Sequence, residues 1–203
     1  DPDMTITLPP HLTAATGMDA LTHCVEGYLS TNFNPPTEAI ALDGIARVVM
    51  YVERAYSDGS DIDARTNMSM AALQGGMSIG MGLGPIHALS MAFGDSPLHH
   101  GTLVTVAMPA VMRFYNELEG GKLARIAEAM GLPADGNEGN RIADRVTELN
   151  ASMKLPKNIR QMGYSKNDLD RMIDDAYNSF FNHPAPKVPN REDYEIMVSE
   201  VLG

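Results

Sequence analysis

Apolar residues in this sequence recur at the spacing of helix faces and almost nowhere at the two-residue alternation of strands. Leu169, Met172, Ile173, Ala176, Tyr177 and Phe180 follow the i, i+3, i+4, i+7, i+8, i+11 pattern of one buried helix face. Tyr194, Met197, Val198 and Val201 repeat it, as do Leu123, Ile126, Ala127 and Met130, with Gly131 placed to stop that helix. Ile142, Val146, Leu149 and Met153 make a fourth stripe. Asn34 before Pro35 predicts a capped start for a helix reaching about Tyr56, and Asp61 a capped start for one running toward Met77. No period of about 20–50 residues recurs, which excludes a solenoid. The expectation is an all-α, multi-helix fold of about nine or ten helices.

Composition narrows what such a fold can do. The chain has 203 residues, 44% hydrophobic and 20% charged, which suits one globular domain with a real core. Its net charge is -11, and its 15 Lys and Arg form no basic run, which argues against a nucleic-acid or anionic-membrane surface. No apolar run approaches the ~18 residues of a membrane span, and no signal-peptide pattern opens the chain, so a cytoplasmic location is expected. The single cysteine, Cys24, excludes a disulfide framework and any zinc site needing several thiolates. With 15 Met, 5 Phe and no Trp, methionine is expected to fill space between helices rather than to form a pliable binding surface. Residues 1–10, with Thr5, Ile6 and Thr7 before Pro9-Pro10, are expected to be a strand end or extended lead-in, and 11–203 the helical domain. The chain starts without an initiator Met, as a piece of a longer protein would.

Six histidines raise the possibility of a metal site. Asp19 and His23 are four apart, so on a helix they share one face, and a carboxylate and an imidazole so placed can hold one divalent ion. The bland reading is that Thr16-x-x-Asp19 begins a helix in capping-box fashion and that His23 is a satisfied core residue. A second stretch, Gly80 to His87, is glycine-rich and ends in histidine. A loop then leads to His99, His100 and Gly101 at the expected start of the next helix. No G-x-G-x-x-G or P-loop pattern occurs, so the glycines are not a nucleotide fingerprint. Glu26, one turn past His23, can orient that histidine or simply face water. His11 and His183 flank prolines and are expected at the surface, and Cys24 in the core. On spacing alone the readings stay open: a metal site whose chemistry is unassigned, of which a metal-dependent hydrolase or lyase with Glu26 as its one nearby base is one form, and a non-catalytic helical interaction domain.

Three segments carry a resemblance. Asp1-Pro2 through Leu8-Pro9-Pro10 to Thr13–Ser30, then Gly82–Ser90, then His100-Gly101 before a helix ending near Asn116 together resemble the signatures of the iron-containing, or group III, alcohol dehydrogenases. The likeness covers essentially the whole chain. It implies the dehydroquinate-synthase-like C-terminal helical domain of a two-domain enzyme whose N-terminal domain binds NAD(P). It implies one divalent metal, Fe(II) or alternatively Zn, held by Asp19, His23, His87 and His100. It also implies oxidation of a small primary alcohol, or reduction of the aldehyde, by a protein that is a homo-oligomer at full length. Residues Thr5, Ile6 and Leu8 would then border the cofactor cleft, and the isolated chain would be inactive without the nucleotide-binding domain. The sequence departs from the family in four places. Met91 stands where most members carry a further histidine beside the nicotinamide, and the loop to His100 is one residue shorter. An extra histidine, His99, enters as a candidate proton shuttle, and Ser78-Ile79-Gly80 replaces a usual Phe-x-Asn. These departures bear on substrate and proton path rather than on metal binding.

Overall fold

A computed structural model describes residues 1–203. It contains α-helices and 3-10 turns and no strand. The helices are α1 (Pro10–Leu29), α2 (Pro35–Ser57), α3 (Ile62–Ser78), α4 (Pro85–Met91), α5 (His100–Phe114), α6 (Lys122–Ala129), α7 (Glu138–Ser152), α8 (Leu169–Tyr177) and α9 (Arg191–Leu202). α1 packs on α2 and α3 to one side and on α5 to the other; α5 in turn carries α4, α7 and α9. α1 and α5 are therefore the shared spine, and the site described below sits where α4 meets them.

Local chemistry sets most of the helix ends. The Asn34 side chain accepts the Thr37 N–H and the Asp61 side chain accepts the Ala64 N–H, so α2 and α3 start where their cap residues stand. Gly131, at φ 73°, follows α6 in the left-handed region, as a stop signal should. The stripes of α6, α7 and α9 are buried as their spacing predicts.

Three expectations are corrected. α1 does not start at Thr16: it begins at Pro10, with Pro9 as its cap, and the Thr16 hydroxyl donates to the Leu12 carbonyl inside the helix. Two consecutive prolines were the true start signal, because a proline at the first helical position has no N–H to leave unpaired. The last stripe is not one helix: α8 ends at Tyr177, and Phe180 belongs to a separate 3-10 turn whose Ser179 cap accepts the Phe181 N–H. Tyr177 and Phe180 are accordingly exposed. Residues 1–10 are not a strand; Pro2–Thr5 form a 3-10 turn, held by the Asp1 side chain on the Asp3 N–H and by the Thr5 hydroxyl on the Pro2 carbonyl. Arg65 of α3, itself buried, ties this segment down by donating to the Leu8 and Gly59 carbonyls and the Thr13 hydroxyl.

Methionine divides between two roles. Met18, Met108 and Met112 are fully buried filler, whereas Met50, Met70, Met77 and Met91 are exposed. Cys24 lies in the core, and burial pushes its thiol up to about 12. At pH 8 such a thiol holds about 10³-fold less thiolate than an ordinary one, and it is sterically closed as well. An aromatic disulfide reagent should therefore leave the folded protein essentially untouched at pH 8 and react at the free-thiol rate in guanidinium. Rapid reaction of the native protein would contradict this packing.

Candidate metal centre

Three helices deliver the donors. α1 is long enough to carry Asp19, His23 and Glu26 on one face at i, i+4, i+7. α4 starts at Pro85, directly after the glycine-rich turn, and sets His87 in its first turn. α5 starts at His100, and Gly101 lets it close on α1: a Cβ there would overlap the Ala15 carbonyl and sit 3.2 Å from the Asp19 Cβ. That close approach brings His100 beside Asp19.

Asp19 Oδ1 is the hub. It lies 3.6 Å from His23 Nε2, 3.9 Å from His87 Nε2 and 3.9 Å from His100 Nε2. The donor atoms of Asp19, His87 and His100 all fall within 4.8 Å of one another. Four donors around a cation at ~2.1 Å would stand roughly 3.4 Å apart, so this set needs only a small contraction. His23 falls outside that group of three, although its Nε2 is the nearest to Asp19 Oδ1; its ring stacks on that of His87, centroids 5.0 Å apart and 11° from parallel. Asp19 Oδ1 and His87 Nε2 are buried and have no hydrogen-bond partner. Two orphaned polar atoms facing each other are costly unless something sits between them, and a divalent cation suits that donor chemistry. Burial lowers the pKa of His23 and of His100, against the opposing pull of Asp19, which favours the neutral imidazoles that a metal requires.

Glu26 has a partner that sequence spacing misassigned. It does not orient His23. Its Oε2 lies 2.6 Å from His87 Nδ1, and its Oε1 accepts the Ile86 N–H at 2.6 Å. Fully engaged and buried, it is no free base for water activation, which removes the one residue that favoured a hydrolase or lyase. Phe181, which nothing local marks, packs tilted against His87 with ring centroids 5.8 Å apart. Behind it lies a cavity of about 440 Å³ bordered by Ile79, Leu83, Phe180, Phe181 and His183. The i, i+7 spacing from Asp19 to Glu26 was the available clue; nothing in the sequence pointed to Phe181.

The remaining candidates occupy the margins. His99 is exposed and caps α5, its Nδ1 accepting the Gly101 N–H at 3.1 Å. Met91 is exposed at the end of α4. Thr5 and Leu8 border a cavity of about 110 Å³ with Thr16 and Ala20 of α1 and Ser69 of α3; Ile6 is exposed beside it. His11 and His183 are at the surface and take no part in the donor cluster.

Fold and site together define a class: a helical domain with an Asp–His–His donor cluster closed from behind by a buried carboxylate. The Fe-containing alcohol dehydrogenase family, C-terminal, matches residues 13–201, and the chain belongs to that family. A 4-hydroxybutyrate dehydrogenase of Cupriavidus necator is 41% identical over 212 aligned positions, covering 100% of this chain and 54% of the relative. A 1,3-propanediol dehydrogenase of Citrobacter freundii is 36% identical over 193, covering 90% and 49%. The crystal structure of a 1,3-propanediol oxidoreductase superposes with a TM-score of 0.93 at 31% identity, over 100% of this chain and 55% of the other. The chain thus spans about half the length of the relatives it matches. No helix is long and apolar enough to cross a membrane.

The cap on α5 can be tested apart from any metal. His99→Ala should lower the unfolding free energy by about 1 kcal/mol, and His99→Asn, a better cap, should keep it. Equal denaturant midpoints for all three proteins would remove the capping role.

Proposed function

We propose that this chain is the metal-binding half of an NAD(P)-linked dehydrogenase that oxidises a small primary alcohol or reduces the matching aldehyde. The observation that carries the reading is the convergence of the orphaned Asp19 Oδ1 and His87 Nε2 on His100 Nε2. Asp19, His23, His87 and His100 would hold the ion. Fe(II), or alternatively Zn, supplies Lewis acidity when bound and so lowers the pKa of an alcohol hydroxyl. Hydride would pass to a nicotinamide carried by an N-terminal nucleotide-binding domain, the partner this chain requires.

The chain's own residues shape the rest. Phe181 keeps water off the buried face of His87, and the cavity between Ile79, Leu83 and Phe180 takes the substrate's carbon chain. The names of the relatives, a 4-hydroxybutyrate and a 1,3-propanediol dehydrogenase, favour a short chain with a terminal hydroxyl and a second polar end. Met91, Thr5, Ile6 and Leu8 border the cofactor side of the cleft. A thioether cannot carry a proton, so Met91 only fills space there. His99 would take the alcohol proton to solvent through its Nε2, because its Nδ1 is engaged with Gly101.

Metal content tests this directly. Protein prepared without an affinity tag should carry about one equivalent of iron or zinc. His87→Ala and His100→Ala should lose most of it, and His99→Ala should keep it. Equal metal in the His87→Ala variant and the parent, by elemental analysis, would overturn the site.

A further inference from the structure

We infer that Glu26 is a positioning residue: it fixes which nitrogen of His87 is free to bind a metal. The inference rests on the metal reading above and deepens it. Two nitrogens converge on this one side chain, the Ile86 backbone N–H donating to Oε1 and His87 Nδ1 lying against Oε2, each at 2.6 Å. Both Glu26 and His87 are about 2% exposed at the side chain, so water cannot substitute for either contact. A carboxylate has two acceptor oxygens and no donor, and it can satisfy both groups only if His87 carries its proton on Nδ1. In the neutral ring the lone pair then lies on Nε2, the atom that faces Asp19 Oδ1 and has no partner of its own. The tautomer that binds metal is thus selected from behind the ring, before any ion arrives.

The surroundings make the selection specific to a carboxylate. Gly84 leaves room for it, since a Cβ there would lie 2.8 Å from Glu26 Oε1. Pro85 offers no N–H, so Ile86 supplies the backbone donor that needs an acceptor. Glutamine has nearly the same shape but one acceptor and one donor end. If its oxygen takes the Ile86 N–H, its amide must donate to His87 Nδ1, and the ring proton moves to Nε2. If it turns the other way, two donors face each other at Ile86. Charge points in the same direction: Asp19 and Glu26 together bring two negative charges, which balance a divalent cation with neutral imidazoles.

The test reads the ring directly. Long-range 15N–1H correlation of metal-free protein should show a proton on His87 Nδ1. In Glu26→Gln the same spectrum should show Nδ1 bare and Nε2 protonated. Zinc affinity, by chelator competition, should fall about 10–100-fold while far-ultraviolet circular dichroism is unchanged. A merely structural Glu26 would not move the tautomer. A bare Nδ1 in the parent overturns the inference, as does a Glu26→Gln protein that keeps its Nδ1 proton and its zinc affinity. Should the variant fail to fold, the parent spectrum alone decides. A parent that binds no zinc sinks the metal reading, whereas a bare Nδ1 sinks this one.

Discussion

A carboxylate buried at the junction of α1 and α4 must be satisfied on both oxygens, and the geometry around Glu26 follows from that demand. An unpaired charge at such a depth costs several kcal/mol, so the chain brings a backbone N–H and an imidazole to it and leaves space by placing glycine at 84. With His87 held from behind, its free nitrogen faces Asp19 on the same helix as Glu26. α1 therefore supports α4 from one position and meets it with a donor from another, two turns away. α5 completes the arrangement only because Gly101 allows it to lie against the backbone of α1.

This explains why the donor cluster is so close to finished without an ion. All four candidate ligands sit on helices whose positions are set by the core, and Asp19 and His87 carry orphaned atoms that face one another. Preorganisation of this kind spends folding energy on polar groups that gain partners only on binding. Membership in the Fe-containing alcohol dehydrogenase family gives that expense a purpose. Met91 and His99, which flank the His87 and His100 segments, are exposed.

What could be read from the sequence depended on how local the determining interaction is. α2 and α3 were legible because Asn34 and Asp61 are caps that act within three residues of themselves. The start of α1 is not legible in the same way, because Thr16 looks like a cap while the prolines that begin the helix suit an extended segment equally well. The stripe ending at Phe180 overran its helix because periodicity does not register the break at Asn178 and Ser179. Spacing and resemblance single out Asp19, His23, His87 and His100, and the fold brings these side chains together. The partner of Glu26 was not, because it stands 61 residues away and nothing local distinguishes His87 from His23 as its acceptor's target. Phe181 lies farther still, in a turn whose aromatic pair reads as one more apolar patch.

The central claim is that Asp19, His87 and His100, with His23 beside them, form one cation site at the meeting of α1, α4 and α5. Anomalous diffraction at the zinc edge from crystals grown with zinc tests it most directly. The account predicts one strong peak within bonding distance of Asp19 Oδ1, His23 Nε2, His87 Nε2 and His100 Nε2. A peak centred on other residues, or none at these atoms in crystals that bind zinc elsewhere, would contradict it.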